Sequence, residues 1–212
     1  MEKLRVLVGC EESQVVTKAF RANGHEAYSC DLQECSGGHP EWHIQGSILD
    51  CLEDGWDLLI AHPPCTHLSV SGARHFEEKR KDGRQQKAID FFMRLTDVNI
   101  RKTVIENPIG IMSTIYRKPD QIIQPYYFGD EAQKTTCLWF KNIHPLFHSK
   151  EKDLFNKEVT HVSNGGEVQH KTSHRKMNKF HYETSLLPQH MRSAARSKTF
   201  PGIAKAMADQ WG

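Results

Sequence analysis

Cys65 is the side chain of this 212-residue chain best placed for covalent chemistry. It lies in Ala61-His62-Pro63-Pro64-Cys65-Thr66-His67-Leu68-Ser69, directly after the apolar run Trp56-Asp57-Leu58-Leu59-Ile60. That run has the length of a strand. The two prolines then exclude helix and remove two backbone donors. A strand that stops there presents Cys65 at the carboxyl edge of a sheet, where open α/β sheets bind ligands. Beside His62 and His67, a thiol whose pKa is lowered is a nucleophile. The competing reading is a buried cysteine acting as a small hydrophobe. A second strand end tips the balance. Lys102 to Ile105 reads as a strand and closes on Glu106-Asn107-Pro108. Neighbouring strand ends bring Glu106 near Cys65, and that edge favours a buried acid with a raised pKa.

The elements that must position these groups begin at the amino terminus. Arg5 to Val8 is the first strand, and Gly9 ends it. Gln14 to Arg21 has helical spacing, with Val15, Val16, Ala19 and Phe20 on one side. Asn23-Gly24 stops that helix. Glu26 to Cys30 is a second strand closed by Asp31. This strand–Gly–helix–strand–Asp order opens a nucleotide-type βαβ unit. Gly9 lets the backbone approach a ligand, and the helix amino terminus holds a carboxylate or phosphate. The full GxGxxG is absent, which argues against a dinucleotide. Residues 34–42 are loop by composition, His43–Gln45 a short strand, and Ser47 an N-cap for a short helix.

Further along, residues 66–84 are polar and read as a mobile surface loop, of the sort that serves as a lid. Ala88, Phe91, Phe92, Leu95 and Val98 form a helical core stripe. Gln121–Phe128 and Thr135–Phe140 read as an antiparallel hairpin. Residues 141–199 are polar and weakly periodic, and little regular structure is expected there. Pro201 starts a last helix with Ile203, Met207 and Trp211 on one face.

Composition is that of one soluble globular domain: 38% hydrophobic, 25% charged, net charge +2. No apolar run is long enough to span a bilayer, so no membrane partner is expected. Six scattered cysteines with no CxxC pair point to reduced thiols in the cytoplasm and to no zinc or redox site. His161, His170, His174 and His181 show no recognisable ligand spacing, so no metal is expected. Residues 141–212 hold 12 lysines and arginines against 6 acids, while the rest holds 16 against 20. A basic back half attracts phosphate backbones.

Taken together, Pro63-Pro64-Cys65 with Ser69, and Glu106-Asn107-Pro108, resemble the catalytic motifs of the cytosine-5 DNA methyltransferase family. The likeness covers residues 1–140 and 196–212 in outline, and compact chains of this type resemble methyltransferase-like proteins of phages and prophages. It implies an α/β, Rossmann-like methyltransferase fold, mostly parallel with an antiparallel hairpin edge. The implied division is a catalytic core over 1–140, a basic insert over 141–199 as a reduced target-recognition segment, and a helix over 200–212 packing on the core. The implied cofactor is S-adenosylmethionine, held by Gly9, Cys10, Glu11, Asp31, Leu32, Ser47, Ile48 and Pro63. Cys65 and Glu106 are the implied catalytic pair, with Pro64, Ser69, Asn107, Lys134, Lys171, Arg175 and Lys176 on the substrate. The implied substrate is DNA, duplex rather than single-stranded, in a bacterial host's cytoplasm. A free or single-stranded pyrimidine nucleotide and a non-catalytic nucleic-acid-binding relic are the alternatives. Two departures stand out. The chain has Gln133-Lys134-Thr135-Thr136-Cys137 where the family has Gln-x-Arg-x-Arg, and it lacks a full target-recognition domain.

Overall fold

A computed structural model describes residues 2–152, 158–169 and 176–212. Five parallel strands come first: β1 (Arg5–Gly9), β2 (Glu26–Asp31), β3 (His43–Gln45), β4 (Leu58–Ala61) and β5 (Lys102–Pro108). They are joined by β6 (Gln121–Ile123) and β7 (Thr136–Lys141) in the order β3-β2-β1-β4-β5-β7-β6. β7 runs antiparallel to both of its neighbours, so the expected mostly parallel sheet with an antiparallel edge is found. Strand order reverses between β1 and β4. That is the switch point at which such sheets open a crevice beyond their carboxyl ends.

The central strands β1 and β4 are buried on both faces, which is why they read as continuous apolar runs. Val6 and Val8 face one core with α1 (Val15–Ala22) and α7 (Pro201–Trp211). Leu7 and Leu59 face the other with Phe92 and Leu95 of α3 (Arg84–Thr96). The last helix thus closes the first core, its Trp211 packed edge-on against Phe140.

Three expectations change. Residues 66–84 carry regular structure: a 3₁₀ segment over Val70–His75 and α2 (Phe76–Lys81). The buried Lys79 donates to the Thr66 carbonyl at 2.6 Å, and Gln85 donates to that of His67. Charged side chains that point inward to fasten a loop have no periodicity to reveal them. After the short helix α4 (Met112–Ile115) comes the hairpin, where Pro125–Phe128 is a 3₁₀ turn, so the strand there is only β6. Pro125 cannot donate to a ladder and starts the turn instead.

The third change concerns residues 141–199. They contain β8 (Glu167–Gln169) paired with β9 (Lys176–Asn178), then α5 (Lys179–Leu186) and α6 (Gln189–Ser197). These helices are short and polar, which hides them from periodicity. The Asn178 side chain caps α5 by accepting from the His181 N–H at 2.7 Å. Among the described residues no helix is long and apolar enough to cross a membrane.

Gly9 is tightly packed where a side chain would stand. A Cβ there would lie 1.8 Å from Ile48 Cδ1. The space that a side chain would take at Gly9 is filled by Ile48, which is buried. Gly9→Ala should therefore destabilise the protein by about 1–3 kcal/mol through overpacking. Ile48→Val, which removes Cδ1, should recover most of that loss in the double variant. Urea unfolding of the four proteins of this cycle checks the coupling.

Candidate active site

The site arises where β4 ends and β5 continues. The parallel pairing of these strands closes at Ala61 opposite Ile105. β5 runs on through Glu106, Asn107 and Pro108, paired on one side only, with Leu138, Cys137 and Thr136 of β7. The missing β4 partners are replaced by side-chain bonds in the same register. His62 Nδ1 lies 2.8 Å from Glu106 Oε2, and Asn107 Nδ2 donates to the Pro63 carbonyl at 2.7 Å. Proline at 63 and 64 suits this place, because no ladder donor is needed there. The chain then turns, and Leu68 and Ser69 donate to the Cys65 carbonyl.

A cavity of about 860 Å³ opens at these strand ends. Of the residues singled out in the sequence, it collects Cys10, Pro63, Pro64, Cys65, Ser69, Glu106, Asn107 and Lys134. Gly9, Glu11, Asp31, Leu32, Ser47 and Ile48 lie outside its lining, around the ends of β1, β2 and β3. Lys176 is exposed on β9, away from the cleft, while Lys171 and Arg175 fall outside the described residues.

Glu106 is buried, as expected, but its pKa moves the other way. Burial pushes it upward. The His62 hydrogen bond and the charges of Lys134 and His62 outweigh that and leave it below its ordinary value of 4.5. The group is therefore ionised. Cys65 also differs from expectation. Burial and the Glu106 charge raise its pKa, and Lys134 only partly opposes them. The resting thiol keeps its proton. Ser69 is buried, its Oγ 2.9 Å from that of Ser71, and it caps the 3₁₀ segment.

Around β1 and β2 the residues divide by task. The buried Glu11 carboxylate accepts from Val16 N, Thr17 N and Thr17 Oγ1, so it caps α1. Burial raises its pKa most strongly, against the neighbouring His62 and these donors. Cys10 and Gln14 both hold left-handed backbone, at φ 58 and 57. Such strain costs of order 1–3 kcal/mol each and collects at working turns. The Cys10 thiol is pushed up to about 12 by burial and by Asp31.

Asp31 ends β2 and accepts from Gln33 N. Leu32 beside it is 75% exposed. The Asp31 carbonyl accepts from Gly46 N, and a Cβ on Gly46 would meet nothing within 4 Å. The Ser47 hydroxyl accepts from Leu49 N as the expected N-cap. An acid for hydroxyl groups and an exposed leucine fit a nucleoside-bearing cofactor at this end of the sheet. No three metal-binding side chains gather among the described residues.

Several lining residues carried no signal. His62 was adjacent to Cys65, but its bond to Glu106 depends on the β4–β5 register. Arg74, Gln124, Asn178, Phe180 and Arg196 reach the cleft only through tertiary packing.

No family model matches the chain, and no curated protein matches it. Solved structures similar to it include the Dnmt2 methyltransferase of S. pombe, at 14% identity and a TM-score of 0.47, with 69% of this chain and 52% of that one covered. The Entamoeba histolytica methyltransferase EhMeth has 14% identity and a TM-score of 0.49, covering 75% and 58%. WbdD, crystallised with a kinase inhibitor, has 16% identity and a TM-score of 0.40, covering 69% and 38%. The chain spans less than two thirds of the length of each. Likeness at this level bears on neither activity nor substrate.

The His62–Glu106 pair sets a pH dependence. A carboxyl whose folded pKa lies below its unfolded value contributes stability above the unfolded value. It loses that stability as pH falls through the folded value. His62→Phe keeps a ring and removes the donor. Burial then raises the Glu106 pKa, and the acid loss of stability should begin at higher pH. Near neutrality the variant should be less stable by about 3 kcal/mol, the cost of stranding a buried charge. Carbon NMR titration of the Glu106 carboxyl and urea unfolding from acid to neutral pH check the two parts.

Proposed function

We propose that the protein is an S-adenosylmethionine-dependent methyltransferase that modifies carbon 5 of cytosine in DNA through a covalent Cys65 adduct. One observation carries this reading. A cysteine and an ionised, histidine-held glutamate stand at adjacent strand ends in one cleft, beside a β1–β2 edge fit for a nucleoside.

Carbon 5 of cytosine is a poor nucleophile. Addition of the Cys65 sulfur to carbon 6 turns the ring into an enamine and makes carbon 5 reactive. S-adenosylmethionine, when bound, supplies an electrophilic methyl group. Asp31 would hold its ribose hydroxyls, and Leu32 would cover its apolar face. Glu106 accepts from the exocyclic amine of the ring. Glu106 takes the proton that the Cys65 thiol releases as its sulfur adds, and the carboxyl, held by His62, passes that proton to N3 as negative charge builds on the ring. Once the methyl is in place, loss of the carbon 5 proton and elimination free Cys65. The raised Cys65 pKa means that the thiol gives up its proton only as the substrate arrives, with the Lys134 charge helping. A base in a duplex must first leave the stack.

Cys65→Ser should abolish turnover and leave the fold intact. A strand carrying 5-fluorocytosine should give a covalent adduct with wild type only, visible by mass. An adduct that persists in Cys65→Ala would overturn the nucleophile. Asp31→Ala should weaken S-adenosylmethionine by about 1–3 kcal/mol in calorimetry, the range for a partner left unpaired. Unchanged affinity would place the ribose elsewhere.

A further inference from the structure

The cleft over Cys65 holds more positive charge than its one acid explains. Arg74, Lys134 and Arg196 all line it, with Glu106. Glu106 has His62 as its partner. Among the described residues none of the three cations pairs with a carboxylate, although five other lysine and arginine side chains do so elsewhere.

Arg196 is the most telling. It sits in the last turn of α6, half-buried, and its Nε donates to Thr184 Oγ1 at 2.9 Å. Thr184 is itself buried. Burial and the nearby Arg192 both push the Arg196 pKa down. The remaining guanidinium donors have no protein acceptor among the described residues. Lys134 fixes the position of this arginine. Its Nζ donates to the Lys198 carbonyl at 3.1 Å and reaches that of Ser197 at 3.4 Å, which docks the end of α6 on the cleft rim. A cation there also favours the helix carboxyl terminus. Arg74 approaches from the 3₁₀ segment after Cys65, and its Nε donates only to His75. Arg196 is partly desolvated and has no counter-ion, which is costly, and an anion landing between it and the other two cations removes that cost. Two guanidinium groups suit phosphate in particular, because their paired N–H groups match its oxygens.

We propose that Arg74 and Arg196, with Lys134, form a subsite for the phosphate ester of the pyrimidine nucleotide whose ring lies over Cys65. The cleft therefore selects a nucleotide over a nucleoside or base. This rests on the pyrimidine reading of the Cys65 site for the ring, but the phosphate part is read separately. The phosphate comes from a free nucleotide or from the strand 5′ to the target, and two ligand pairs distinguish these sources.

The experiment is equilibrium binding by ligand-observed NMR. One pair is dCMP against deoxycytidine. The other is a short single strand against the same strand with a neutral methylphosphonate 5′ to its cytosine. In at least one pair the anionic member should bind about tenfold tighter or more, as charge-assisted hydrogen bonds imply. Arg196→Gln and Arg74→Gln should each shrink that ratio severalfold and leave the neutral member unchanged. Arg74 is exposed and lies on a different element from Arg196, so its variant reads the site even if α6 loosens. Equal binding of both members in both pairs would overturn the proposal, as would ratios untouched by the two variants. Binding of dCMP and of deoxyuridine phosphates alike, arginine-dependent and without any affinity for nucleosides, would strike the cytosine reading of the ring and uphold the subsite.

Discussion

The 2.8 Å contact between His62 Nδ1 and Glu106 Oε2 joins the ends of β4 and β5 inside the protein. Its two side chains are only 10% and 11% exposed. Burying the Glu106 charge would ordinarily neutralise it. The imidazole donor and the Lys134 ammonium reverse that outcome and keep the carboxylate ionised. That charge then acts on its surroundings. It raises the Cys65 and Cys137 thiols together with burial, so neither is a standing thiolate. A site built this way stays chemically quiet until a ligand changes the charge in the cleft. The Cys65 loop is fastened to match, by Lys79 to Thr66, by Gln85 to His67 and by a bridge from Ser69 to Gly110.

The sheet makes the contact possible. β4 is four residues long and β5 seven, so β5 outlasts its partner by three residues. Antiparallel β7 supports that overhang from the other side. His62 and Asn107 then continue the β4–β5 ladder with side chains. The same economy appears at β1, where Ile48 fills the space that Gly9 leaves and Glu11 caps α1. The strained turn between β1 and α1 is thus held by packing and buried hydrogen bonds, with Gln14 bonded to Ser29 and His39.

Much of this was legible in the sequence. The β1–α1–β2–Asp31 order, the core stripe of α3, the Ser47 cap and the last helix follow from periodicity and end signals, because each buries an apolar face next to a recognisable stop. Cys65 and Glu106 were legible as strand ends marked by proline. What stayed hidden depends on register or on polar tertiary contacts. No local pattern shows that Ala61 meets Ile105, and so none gives the His62–Glu106 bond or the direction of the Glu106 pKa. Glu11 was named only through the likeness of its loop to a cofactor loop, and no local pattern shows that its carboxylate folds back to cap α1. Lys79 and Arg196 look like surface charge in sequence, and only the packing of α2 and α6 turns them inward.

The central claim is that the Cys65 sulfur adds to carbon 6 of a pyrimidine. Addition loosens the hydrogen at carbon 5, so the claim is tested by exchange of a carbon 5 deuterium into water, followed by mass spectrometry without any methyl donor. With labelled deoxycytidine in a strand or in dCMP, wild type should release the label and Cys65→Ala should not. Retention of the label by wild type on every cytosine substrate, or its release by Cys65→Ala, would contradict the account.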